Sequence, residues 1–167
     1  MMDIKLFSRT RRRYMATDRT AHSALTHSSH RIAAGFGWGV VATIAMSILM
    51  IIGVRTGIAP MPKPIPAAIV GKLLGGGPKA LVMILAIVSH IAYGGFWGAV
   101  LARFASPVTI GKGLGLGVIL WLIMQLVVLP FLGWGLFGSA VTLKIAGATL
   151  LLHLVYGAVL GALIDRK

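Results

Sequence analysis

The chain contains no cysteine and no glutamate, and its only acids are Asp3, Asp18 and Asp165. Without thiols there is no disulfide, thiolate nucleophile, iron–sulfur cluster or cysteine-ligated zinc. With no Glu, and every Asp outside the apolar stretches, a carboxylate proton relay, a di-iron carboxylate centre and paired-carboxylate hydrolysis are excluded too. Charged residues are only 11% of the 167, against about 25% in a soluble domain. What is present instead is apolar: 57% hydrophobic residues, 22 glycines and a mean hydropathy of +0.93. The composition is that of an all-α membrane protein.

A bilayer-crossing helix needs about 17–25 mostly apolar residues. Residues 32–54 provide one without a charge, and 80–102 a second interrupted only by His90. No charge occurs over 113–143, but Pro130 is expected to end or kink the helix near Val128, giving a third span over 113–129. The fourth covers 145–164. Four spans put both termini on one side. With the termini in the cytoplasm, that side collects eleven Lys and Arg against five on the other. The positive-inside rule then predicts an N-in, C-in protein of the cytoplasmic (inner) membrane. The domain plan is a basic polar cytoplasmic tail, 1–31, and a four-helix transmembrane domain, 32–166.

The tail carries the run Arg11-Arg12-Arg13. A juxtamembrane basic cluster gains about 1 kcal/mol per charge at anionic lipid, so these arginines are expected to touch anionic lipid or a partner subunit. Only Phe7 and Tyr14 flank them, which argues against nucleic acid. His22, His27 and His30 lack the neighbouring ligands a metal site needs and read as solvated. Met15 offers an alternative start that would remove the arginine cluster.

The chain also repeats itself. His90-Ile91-Ala92-Tyr93-Gly94, with Gly98, Ala99 and Arg103 beyond it, matches His153-Leu154-Val155-Tyr156-Gly157, Gly161, Ala162 and Arg166 at one offset of 63. Gly35, Gly37, Gly39, Val40 and Met46 match Gly113, Gly115, Gly117, Val118 and Met124 at an offset of 78. The expected architecture is two parallel two-helix repeats about an axis along the membrane normal. Small residues recur every fourth position: Gly35 and Gly39 on the first helix, Gly94 and Gly98 on the second, Gly157 and Gly161 on the fourth. Such stripes let helices approach closely where lipid supplies no hydrophobic drive between them. In the loops, 67–74 is long enough for a short interfacial helix, while the aromatics Phe131, Trp134 and Phe137 suit the headgroup level or a shallow re-entrant turn.

An ionisable residue at mid-membrane is a functional hypothesis by default. His90 and His153 occupy equivalent places in the repeat, at equal expected depth. Two histidines from two helices of a four-helix bundle can ligate a b-type haem. They can equally hydrogen-bond across helices to a Tyr, Thr43, Ser47 or Gln125 and fix register. No nucleophile, base and orienting group occur together, so the chain is not expected to be an enzyme by itself.

The Gly-rich first helix through Ala42-Thr43 to Met46-Ser47, the Met61-Pro62 loop, residues 133–138 and the closing Leu152-His153-Leu154-Val155-Tyr156-Gly157 resemble a family of small four-helix integral membrane proteins of bacteria and archaea with no established activity. The resemblance covers about residues 32–166. It implies fold and membrane location and no mechanism; the basic tail departs from the family's pattern. The expected function is a non-catalytic accessory or structural subunit of a larger membrane complex, respiratory or otherwise redox. The alternative is an electron-transfer subunit with haem b between His90 and His153. A small transporter or channel component comes third, because no buried acid or lysine is there to couple ions.

Overall fold

The computed structural model describes residues 4–166, with side chains from Ser28 onward. Every regular element among the described residues is helical. Helix α1 runs Ile4–Arg55, α2 Ile65–Leu73, α3 Lys79–Phe104, α4 Ile110–Ile123, α5 Leu129–Leu132 and α6 Lys144–Leu163. A π-helical segment, Met124–Val128, joins α4 to α5 without a break. Four helical stretches are long and apolar enough to cross a membrane: Ser28–Arg55, Lys79–Phe104, Ile110–Leu132 and Lys144–Leu163. In hydrocarbon each backbone polar group must be satisfied within the segment, and a continuous helix does this.

The third span runs three residues past its expected end at 129, and the end or kink expected near Val128 takes the form of a π segment. Pro130 has no N–H to donate and its ring crowds the preceding turn. The backbone widens into the π segment just before it, with Leu129 N–H bonded to Met124 O, and the helix then continues to Leu132. Gly133 ends it at φ 81°: the Gly133 N–H bonds to Pro130 O and the Trp134 N–H to Leu129 O, each at 2.9 Å. That pair of bonds satisfies the last carbonyls in the Schellman manner.

The tightest contacts lie within hairpins. A Cβ on Gly98 would strike the carbonyl of Gly35, and one on Gly39 the carbonyl of Gly94, so α1 and α3 touch backbone to backbone. In the second hairpin Gly113 meets Gly157, and Gly117 meets the carbonyl of His153. Set against the sequence offsets, α4 is displaced along α6 by one helical turn relative to α1 on α3. The hairpins join where α1 lies against α6, and the Tyr156 hydroxyl donates across to Gly94 O at 2.7 Å.

Two apolar cores result. One, toward the end where the α1 span begins and α6 stops (the terminal end), gathers Ala42, Ala102, Leu116, Leu160 and Ile164. The other gathers Met61, Ile65 and Ala68 of the α2 region with Met124, Leu129, Trp134 and Ile145. Trp134 is 9% exposed, which corrects its reading as a headgroup anchor. It belongs to the same buried cluster as Ile65 and Ala68 of α2. Phe131 stays exposed, with the Lys72 ammonium 5.1 Å from its ring centre.

The terminal end is tied by the one acid of the bundle. Asp165 pairs with Arg31 at 3.3 Å and accepts the Val108 N–H, while Arg31 also donates to Ala105 O at 3.1 Å. One side-chain cluster thus holds α1, the α3–α4 connection and the end of α6.

Candidate functional site

Between the two cores lies a cavity of about 400 Å³, lined by α1, the α2 region, α3, α4 with its π segment, and α6. This is within the roughly 300–1,000 Å³ range of small-molecule sites. Most of its wall is apolar, built from Met46, Met50, Met61, Ile65, Leu120, Met124 and Leu152 among others. The polar groups in that wall are few: Thr43, Ser89, His90, Tyr93, Thr149, His153 and Tyr156.

Both histidines therefore face one space. The small-residue stripes put them there. Ala86, Gly94 and Gly98 are buried on α3, most closely against α1, and His90 falls in the gap of that stripe. Thr149, Gly157 and Gly161 are buried on α6, with His153 in the corresponding gap. The surroundings of the two rings differ. His153 Nδ1 lies 2.8 Å from Thr149 O. A carbonyl only accepts, so Nδ1 carries the proton and Nε2 presents a lone pair. His90 has no such anchor, and its Nε2 is buried without a hydrogen-bond partner.

Neither imidazole makes the cross-helix hydrogen bond to Tyr, Thr43, Ser47 or Gln125 that was one expectation. Those bonds come from other residues. Tyr156, 3% exposed, binds Gly94 O; Gln125 Nε2 donates to Thr149 Oγ1 at 2.9 Å, and that hydroxyl donates to Ile145 O at 2.6 Å. Trp121 Nε1 donates to Ala146 O at 3.0 Å. Tyr93, the sequence equivalent of Tyr156, is 45% exposed and packs edge-on to Trp97. The repeated motif has one inward and one outward tyrosine.

The other residues singled out from sequence fall as follows. Gly35, Gly39, Gly94, Gly98, Gly157 and Gly161 are all buried at helix contacts. The side chains of Arg11, Arg12 and Arg13, and of His22 and His27, lie outside the described residues; His30 is exposed. Arg103 and Arg166 are exposed at the terminal end and do not line the cavity. No group of three or more His, Cys, Asp or Glu able to hold a metal ion occurs among the described residues. Sequence reasoning missed the Asp165 cluster, although its signal was there: Asp165 is the only acid in the chain after residue 18. It also missed the α2 region as one wall of a cavity, for which a single sequence carries no signal.

Comparison with family models, with curated proteins and with solved structures finds no match to this chain.

Proposed function

We propose that the protein is a small membrane subunit that holds a b-type haem between His90 and His153 and passes electrons within a larger redox assembly of the cytoplasmic membrane. The observation that carries this reading is that the two imidazoles line a single apolar cavity. A haem iron needs only two axial ligands from the protein, and two imidazoles are among the residues lining the cavity. The bond from His153 Nδ1 to the Thr149 carbonyl is of the kind that orients metal-ligating histidines and raises their basicity. Haem would bring two carboxylates, and the cavity extends to the α2 region, whose segment 55–79 holds Lys63, Lys72 and Lys79 and no acid.

A haem subunit has no substrate chemistry of its own. It needs donor and acceptor partners, so the accessory-subunit expectation and the haem expectation become one. The two-repeat plan fits it, each hairpin supplying one ligand from the same motif. A solute path is less well supported, since an apolar core closes the bundle on each side of the cavity.

Colour decides the matter. Protein purified in mild detergent from haem-replete cells should show a Soret band, lost on either His90→Ala or His153→Ala while circular dichroism stays helical. Folded, colourless protein that also fails to gain a Soret band on titration with hemin would overturn the haem reading and leave an accessory subunit without cofactor.

A further inference from the structure

We infer that the cavity exchanges its occupant with the bilayer, sideways, through the seam between α3 and α4, so that its ligand is an amphiphilic molecule dissolved in the membrane. This rests on the cavity being a binding site, and does not depend on the occupant being haem. The cavity is not fully enclosed. Three of its lining residues are also exposed on the molecular surface: Ser89 and Tyr93 of α3, and Ile123 of α4. All three stand on the two helices that flank this seam.

Three other seams are packed. Glycine contacts seal α1 to α3 and α4 to α6, and α1 lies along α6. At one end Trp134, Ile65 and Met61 form a buried core under α2; at the other, Ala102, Leu116 and Leu160 do the same. No comparable packing joins α3 to α4. The α4 side of the seam is moreover where the backbone departs from α-helix. Ile123, Met124 and Val128 all line the cavity, and the π segment spans Met124–Val128. π segments recur at functional sites because the widened turn re-aims side chains. The difference between the repeated tyrosines has the same sense: Tyr156 is bonded inward to Gly94, whereas Tyr93 stands at the opening.

The test is carbene labelling of the colourless protein, prepared from haem-depleted cells, in phosphatidylcholine–phosphatidylglycerol vesicles. An uncharged phenyl-diazirine dissolved in the bilayer is photolysed and adducts are mapped by mass spectrometry. Met46 and Leu120 report on the cavity, Ile84 and Leu151 on the lipid-facing surface. Cavity and surface reporters should both be labelled in the unmodified chain. Ser89→Trp should lower the cavity signal several-fold and Tyr93→Ala should raise it, with the surface signal unchanged in both. Opposite effects of the two variants are not what general loosening produces. Surface labelling without cavity labelling, or a cavity signal that neither variant moves, would overturn the inference. So would stronger cavity labelling by a charged, water-borne diazirine. If the Soret band is present while the cavity stays unlabelled, haem binding stands and lateral exchange falls; labelling without a Soret band gives the converse.

Discussion

Replacing Gly98 by alanine tests the backbone contact that closes the first hairpin. The new Cβ would sit on the Gly35 carbonyl and within 3.0 Å of the Gly39 Cα, and neither is the end of a flexible side chain. Carbon atoms pack at about 3.5–4.0 Å, so α1 and α3 must separate by roughly 1 Å along the whole stripe. Overpacking of this kind costs about 1–3 kcal/mol. Alanine returns up to about 1 kcal/mol through helix propensity. With the full propensity gain, the expected net loss for Gly98→Ala is therefore about 0–2 kcal/mol. The matched control is Gly37→Ala on α1, where a Cβ meets nothing within 4 Å. There only the propensity gain remains, from zero to about 1 kcal/mol. Both are read by reversible SDS titration in mixed micelles, followed by tryptophan fluorescence and far-UV circular dichroism. Equal midpoints for the two variants, or a more stable Gly98→Ala, would show that α1 and α3 do not touch there and would refute the packing argument. Gly157→Ala against Gly115→Ala repeats the comparison in the second hairpin.

Four further outcomes follow. Tyr156→Phe removes the hydroxyl that binds Gly94 O and should cost about 0.6–2 kcal/mol in the same titration, the range for interhelical hydrogen bonds in membranes, whereas Tyr93→Phe should be neutral. Asp165→Asn should weaken the terminal cluster by no more than about 1 kcal/mol, since the Arg31 pair is partly exposed; faster hydrogen exchange at the Val108 amide reports it, and an unchanged rate would mean that the carboxylate is not holding that loop. A reporter active only in the periplasm, fused after residue 167, should stay silent, and a bright signal would reverse the topology. Replacing Arg11, Arg12 and Arg13 by Gln should weaken association with anionic vesicles or partner subunits, most at low salt, because exposed charges are screened beyond about 8–10 Å at physiological ionic strength.

Much of the bundle is legible from spacing. Charge-free runs mark all four spans, and the fourfold recurrence of small residues marks the faces that meet, because lipid leaves close packing as the main drive. The shared position of two histidines in a repeated motif likewise anticipates that they face one space. Pro130 is harder. A proline rule drawn from ordinary helices says stop, yet one extra residue in the turn absorbs both the missing donor and the clash. Trp134 is harder still: as a loop aromatic it reads as an interface anchor, and only the buried cluster it shares with α2, some 65 residues earlier in the chain, turns it inward. The unlike fates of Tyr93 and Tyr156 are beyond any motif. The same His-x-x-Tyr-Gly motif meets different neighbours once the two hairpins close a turn apart.

That closure has a consequence for assembly. Each hairpin completes its own glycine contacts without the other, so each is a unit that a translocation machinery can release into lipid already paired. The cavity wall, by contrast, draws on both hairpins, and it exists only once α1 has docked on α6. Docking and occupancy are then linked equilibria: whatever fills the space between His90 and His153 shifts the population toward the docked form by mass action. Two polypeptides divided in the connection between α3 and α4 would each carry one finished hairpin, and the occupant itself would act as the rivet between them.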